Sequence, residues 1–167
     1  MIKDSFEITQ IPETSDVVNK IVEKNVEIII FNYVCLIRDL IDITMYTLNK
    51  DIVKPLIFYN TCFLVELSLK YYLIRSTKLN INDVEEKGHN IVELMRSAKE
   101  IGLDVDELQF LLQKFRNREN HRLDLNNYYN YKYNREIGQD KLIFDFECSD
   151  KEKNNIKEVM EWIKRYI

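Results

Sequence analysis

Along most of this chain the apolar positions recur three and four residues apart, the spacing of one face of a helix, and only between 124 and 148 does that spacing lapse. The run Ile28-Ile29-Ile30-Phe31 is β-branched enough to pass locally for a strand. Its continuation through Tyr33, Leu36, Ile37, Leu40 and Ile41 keeps the helical period. Ser15 and Asp16 are good N-cap residues, so a first helix is expected from there to about Asn49. Its middle is apolar nearly all round. Such a helix is covered on more than one side, either central to a bundle or shared with a partner.

A second helix is expected to open at Pro55, which suits the first helical position, and to reach about Thr77. It too is apolar on several faces, through Leu56, Phe58, Tyr59, Phe63, Leu64, Leu67, Tyr71 and Ile74. Glu66 and Lys70 stand four residues apart in the favourable order, and read as a surface ion pair worth a few tenths of a kcal/mol.

Three capping boxes then mark helix starts: Asn90-x-x-Glu93, Asp104-x-x-Glu107 and Ser149-x-x-Glu152. The first opens Ile91–Ile101, with Gly102 after its end. The second opens a helix through Leu108, Leu111, Leu112 and Phe115, and the third a C-terminal helix through Ile156, Val159, Met160, Trp162 and Ile163. Asn82-x-x-Glu85 caps a short turn closed by Gly88. Over 124–148 the Tyr-rich stretch Asn126–Tyr131 has no helical period, and Leu142, Phe144 and Phe146 alternate. That reads as an extended arm or a short hairpin turning at Gly138-Gln139-Asp140.

The expected fold is therefore all-α: one domain over 1–167, an antiparallel bundle of four to five main helices with a short extension over 1–14 and the arm before the last helix. Composition agrees with it. With 3 Gly and 2 Pro in 167 residues, the tight turns of a many-stranded β protein have little to be made from. The longest oily run, Val26 to Ile37, is interrupted by Glu27 and Asn32 and is too short to span a bilayer, so no membrane partner is expected. Three widely spaced cysteines, Cys35, Cys62 and Cys148, suit a reducing, cytoplasmic compartment and suggest no disulfide framework. A net charge of −4 argues against coating duplex nucleic acid through counterion release, so any RNA contact has to come from a local basic site.

The chemistry-bearing residues are few. The chain has 2 histidines, His89 and His121, and no zinc spacing, nucleophile elbow or glycine-rich phosphate loop, so neither a metal nor another cofactor is expected. His89, beside Gly88 and before the Asn90 cap, reads as a structural histidine at a helix entry. What remains is Arg116-Asn117-Arg118-Glu119-Asn120-His121. If the helix opened by Asp104 continues, Arg116, Asn117, Asn120 and His121 gather opposite the Leu108–Phe115 stripe, and Asn117 lies one turn before His121. A guanidinium grips a phosphate bidentately and an imidazole moves protons near neutrality, which suits a phosphodiester. The plain alternative is a solvated polar helix face. Arg118, Tyr128, Tyr131 and Lys132 are further candidates for RNA contact, the tyrosines by base stacking. An arm packed on the bundle or on a partner is the preferred reading of the tyrosines.

Two passages resemble the HEPN superfamily of small helical bundles. One is Phe63–Leu73 with its Glu66 and Leu69-Lys70, followed by Gly88-His89-Asn90-Ile91-Val92-Glu93-Leu94; the other is Arg116-Asn117-x-x-x-His121. The resemblance spans about residues 16–167. It implies a metal-independent endoribonuclease cleaving single-stranded RNA by attack of the ribose 2′-hydroxyl, with Arg116 and His121 catalytic and Asn117 and Asn120 supporting. It also implies a homodimer that brings two motifs together, and a toxin–antitoxin or anti-phage defence setting with an antitoxin or defence-system partner. In HEPN toxins silenced by a nucleotidyltransferase, a tyrosine stands two residues after the motif histidine; here the residue is Leu123. The alternative within the family is a non-catalytic interaction, nucleotide-sensing or nucleic-acid-binding module.

Overall fold

A computed structural model describes residues 14–50, 54–76, 81–115, 125, 128 and 149–166. Among these residues the chain is all-α. The helices are α1 (Thr14–Lys50), α2 (Lys54–Ser76), α3 (Ile81–Glu85), α4 (Ile91–Glu100), α5 (Asp106–Leu112) and α6 (Asp150–Tyr166). Five of them are main helices and α3 is a single turn, so the expected bundle is the architecture found. No helix among the described residues is long and apolar enough to cross a membrane.

The centre of the bundle is α2, which α1, α3, α4 and α6 all touch. This is why its sequence is apolar on several faces: from Ile57 to Ile74 nearly every side chain is buried. Tyr33 of α1 and Lys70 of α2 lie at matching distances from the α1–α2 connection, and Glu85 bonds to both. That register is the one an antiparallel helix pair gives. Through Ile37, Ile41, Thr44 and Leu48, α1 faces this core, while α6 adds Ile156, Val159, Met160, Trp162 and Ile163. Among the described residues Thr44 Oγ1 and Trp162 Nε1 are buried there without a hydrogen-bond partner, and each such group costs about 1–3 kcal/mol.

Helix ends follow the expected chemistry at α4. The Asn90 side chain accepts the Glu93 backbone N–H at 3.0 Å. Past the other end, Gly102 takes φ +98°, and Leu103 N–H donates to Ala98 and Gly102 N–H to Lys99, the paired bonds of a Schellman stop. At α6 the Ser149 hydroxyl donates to the Glu152 carboxylate. Asn82, expected as a cap, lies inside α3.

α5 departs from expectation. Asp104 accepts the N–H of Asp106 at 3.1 Å, a tight local turn, and the helix covers only Asp106–Leu112 before a turn at Gln113 and Lys114. The helical wheel drawn from Leu108 to His121 is therefore broken before Arg116. Phe115 still packs inward, edge-on to Phe58 at 5.4 Å. α5 is tied to α6 by Asn155 Nδ2 donating to the Leu111 carbonyl at 3.0 Å, and by the Arg165–Glu107 and Lys114–Glu158 ion pairs. The expected arm or hairpin over 124–148 lies outside the described residues apart from Leu125 and Tyr128.

Candidate functional site

On a helix with a solvent face, Glu66 and Lys70 would point to water. On α2 no such face exists at this height, and the two are 1% and 5% exposed. The surface ion pair expected there is instead a buried one, because α1, α3 and α4 close around it. A buried carboxylate and ammonium need their remaining hydrogen-bonding capacity met, and the neighbours meet it. Lys70 Nζ sits 3.2 Å from Glu66 Oε1 and 3.2 Å from Glu85 Oε2. Glu85 Oε1 accepts the Tyr33 hydroxyl at 2.5 Å. Glu66 Oε2 lies 2.9 Å from His89 Nδ1 and also accepts the Tyr128 hydroxyl. The result is one continuous node that joins α1, α2, α3, the turn into α4 and Tyr128.

The electrostatics follow from that geometry. Burial first, and then the bond to Glu66, push the Tyr128 phenol well above its ordinary value; burial and Glu85 do the same to Tyr33. Both hydroxyls are thus fixed as donors. For Glu85, burial works against ionisation, but the bonds from Tyr33 and Lys70 prevail and hold its carboxyl below the usual range. Burial and the nearby Glu66 charge push up the Cys62 thiol, which makes it a poor nucleophile. Because the Glu66 carboxylate only accepts, the proton of a neutral His89 belongs on Nδ1. The imidazole is oriented by a buried carboxylate while 56% of its side chain stays exposed. That pairing is the one by which proteins position a histidine for proton transfer or metal binding.

Of the residues singled out from sequence, Arg116, Asn117, Arg118, Asn120, His121, Tyr131 and Lys132 lie outside the described residues. Tyr128 is described, and it corrects the base-stacking expectation. It is 0% exposed, with its ring 5.5 Å from Tyr59 and edge-on to His89 at 6.3 Å, so no base can reach it. The packing reading of that tyrosine is the one found. Phe115 and Tyr128, the described residues nearest the motif on the two sides that are buried, rest on neighbouring α2 residues, Phe58 and Tyr59. A hollow of about 460 Å³ opens where α5 ends and α6 begins, lined by Lys114, Lys151, Asn155 and Glu158 among others. Lys114 stands two residues before Arg116. Among the described residues no group of three His, Cys, Asp or Glu side chains could hold a metal ion.

Comparison with family models, with curated proteins and with solved structures returned no match.

The node was partly within reach of sequence reasoning. A Glu–Lys pair on a helix apolar on every side has no solvent to point into, and that signal alone places it inside. Nothing local in the sequence marks Tyr33 and Glu85, which are 52 residues apart.

Proposed function

We propose that this chain is a HEPN-like endoribonuclease that cleaves single-stranded RNA without a metal ion, as a homodimer and in a toxin–antitoxin or anti-phage defence setting. The observation that carries the reading is the Arg116-Asn117-x-x-x-His121 motif. The all-α bundle supports it. So does the meeting of the two halves of the other HEPN-like passage, since Glu66 from the first half holds His89 from the second at 2.9 Å.

In this reading the ribose 2′-oxygen attacks the adjacent phosphorus and the 5′-oxygen of the next nucleotide leaves, giving a 2′,3′-cyclic phosphate and a 5′-hydroxyl. Arg116 stabilises the charge that builds on the phosphate, and His121 is the proton-transfer group. Asn117 and Asn120 support them. The competing reading is a non-catalytic HEPN-type binding module. It draws on the observation that the buried ionisable groups of the node satisfy one another rather than facing a ligand.

Incubating the pure protein with short single-stranded RNA in excess EDTA separates the two. Cleavage to 2′,3′-cyclic ends is expected, reduced about a hundredfold or more in Arg116→Ala and in His121→Ala, the scale of general acid–base and charge-stabilising groups. Asn117→Ala should lose less. Equal activity in wild type and His121→Ala removes the ribonuclease assignment, and activity restored only by Mg²⁺ removes the mechanism.

A further inference from the structure

Cleavage by a 2′-hydroxyl involves two proton transfers. The hydroxyl loses its proton as it attacks phosphorus, and the 5′-oxygen gains one as it leaves. The motif of residues 116–121 supplies one imidazole for the two, His121. The chain holds 2 histidines, so the other imidazole it can offer is His89. That residue is held firmly. Gly88, at φ +57°, donates its N–H to the Glu85 carbonyl at 2.9 Å to close the turn after α3, and Asn90 caps α4. Between them, His89 Nδ1 lies 2.9 Å from Oε2 of Glu66. The Glu66 side chain is 2% exposed and that of His89 56%, so a buried carboxylate orients a ring that solvent can reach. The Tyr128 ring stands edge-on to His89 at 6.3 Å, and its hydroxyl donates to the same Glu66 oxygen. Tyr128 follows His121 by seven residues. The first buried residue described after the motif therefore rests on the His89–Glu66 pair.

We propose that His89 is a second catalytic residue of the RNA cleavage, the general base that takes the 2′-hydroxyl proton on Nε2. This deepens the ribonuclease reading above and rests on it. Glu66 accepts from Nδ1–H, which leaves the lone pair of a neutral imidazole on Nε2. As the 2′-oxygen bonds to phosphorus, its proton passes to Nε2. The bond from phosphorus to the 5′-oxygen breaks, and the leaving oxygen takes a proton from His121. The imidazolium formed on His89 then has the Glu66 carboxylate against it, which stabilises the charge that develops as the proton arrives. The groups around His89 fit that step. Glu66 and Lys70 come from α2, Glu85 from α3 and Tyr33 from α1, with Tyr128 beside them. Lys70 bridges the two carboxylates and both tyrosine hydroxyls donate, so the set becomes neutral once the proton is on His89.

Two substrates test it on the full chain in excess EDTA: a short single-stranded RNA, and the same RNA with a bridging 5′-sulfur, which leaves without needing a proton. His89→Gln is the main variant. Its amide N–H can still donate to Glu66, but no atom of its side chain can take a proton. Rates are compared at a temperature where circular dichroism shows each variant folded. His89→Gln and His89→Ala should both cleave the natural RNA about a hundredfold or more slowly than wild type, the scale of a lost general base. That defect should persist with the sulfur substrate, whereas the His121→Ala defect should largely disappear. If His89→Gln cleaves the natural RNA at the wild-type rate, the imidazole is only structural and the proposal is overturned, while activity that still depends on His121 leaves the ribonuclease reading standing. A His89→Gln defect that vanishes with sulfur also overturns it, because the residue would then act at the leaving group. A wild type that cleaves neither substrate overturns both readings.

Discussion

Two ion pairs on neighbouring helices each set a glutamate before a basic residue at nearly the same spacing. Glu66 and Lys70 on α2 are four apart, and Glu93 and Arg96 on α4 are three apart. Written as sequence they look alike, yet their side chains are 2% and 6% exposed in the first pair and 31% and 66% in the second. The difference lies in the helix beneath them. α4 has one apolar stripe, Ile91, Leu94, Met95 and Ala98, and leaves its other side to water. α2 is enclosed by four other helices. In the first setting a charge pair is screened and contributes little; in the second each charge has lost its hydration and depends on its partners. A Glu–cation pair one turn apart is thus ornament on one helix and a structural commitment on the other.

The comparison breaks most sharply if Glu66 is removed. Among the described residues, Glu66→Ala leaves Lys70 with the half-exposed Glu85, and it strips the Glu66 acceptor from Tyr128 and from His89 Nδ1. Breaking a buried pair in this way costs about 3–5 kcal/mol, a large part of the ~5–15 kcal/mol that holds a domain together. The melting temperature should fall by about 10 °C or more. Replacing both charges, Glu66→Leu with Lys70→Met, should recover part of the loss but not all, since Tyr128 and His89 remain without their acceptor. A Glu66→Ala melting point within a degree or two of wild type would mean that water reaches the node.

A smaller effect isolates the tyrosines. Their folded-state values lie above the unfolded value of about 10. A group raised on folding stabilises fully below its unfolded value, and that contribution is lost as pH rises above it toward the folded one. Tyr33 and Tyr128 should therefore resist ionisation in an absorbance titration until the chain unfolds. Tyr128→Phe should cost about 1.5–3 kcal/mol, the range for a hydrogen bond to a charged group, and remove one late-titrating phenol. Ten tyrosines ionising together near their ordinary value would show the hydroxyls to be solvated.

What the sequence disclosed tracks how local the physics is. The Asn90 cap, the Gly102 stop and the helical periods of α1, α2 and α6 depend on residues within a turn or two, and they were legible. The burial of Glu66 is a property of four surrounding helices; only the all-round apolar character of α2 hinted at it. The wheel from Leu108 does not run as one helix to Arg116, because α5 stops at Leu112 and the chain turns at Gln113 and Lys114. Capping residues announce that a helix begins, but not how far it runs. For the motif itself, Arg116 to His121, sequence remains the source of the proposal, and its described flanks add only that Phe115 and Tyr128 rest on α2.

The smallest expected effect is the one that completes the comparison. Glu93 bonds to Arg96 and lies 3.6 Å from Lys87. The Arg96 guanidinium, with Lys87 assisting, holds the Glu93 carboxyl below its ordinary value. A depressed carboxyl stabilises above its unfolded value and loses that contribution on acidification, but at an exposed site counterions and water screen the interaction. Glu93→Gln is the clean test, because it removes the charge while the Glu93 backbone N–H still donates to Asn90 and keeps the helix cap. Its melting temperature at neutral pH should be indistinguishable from wild type, and raising the salt concentration should leave the two curves superimposed. Glu66→Ala measured beside it should remain far lower at every salt concentration, because a buried node is not reached by screening ions. If Glu93→Gln melted as early as Glu66→Ala, burial would not be what separates the two pairs, and the structural weight given to the α2 node would have to be withdrawn.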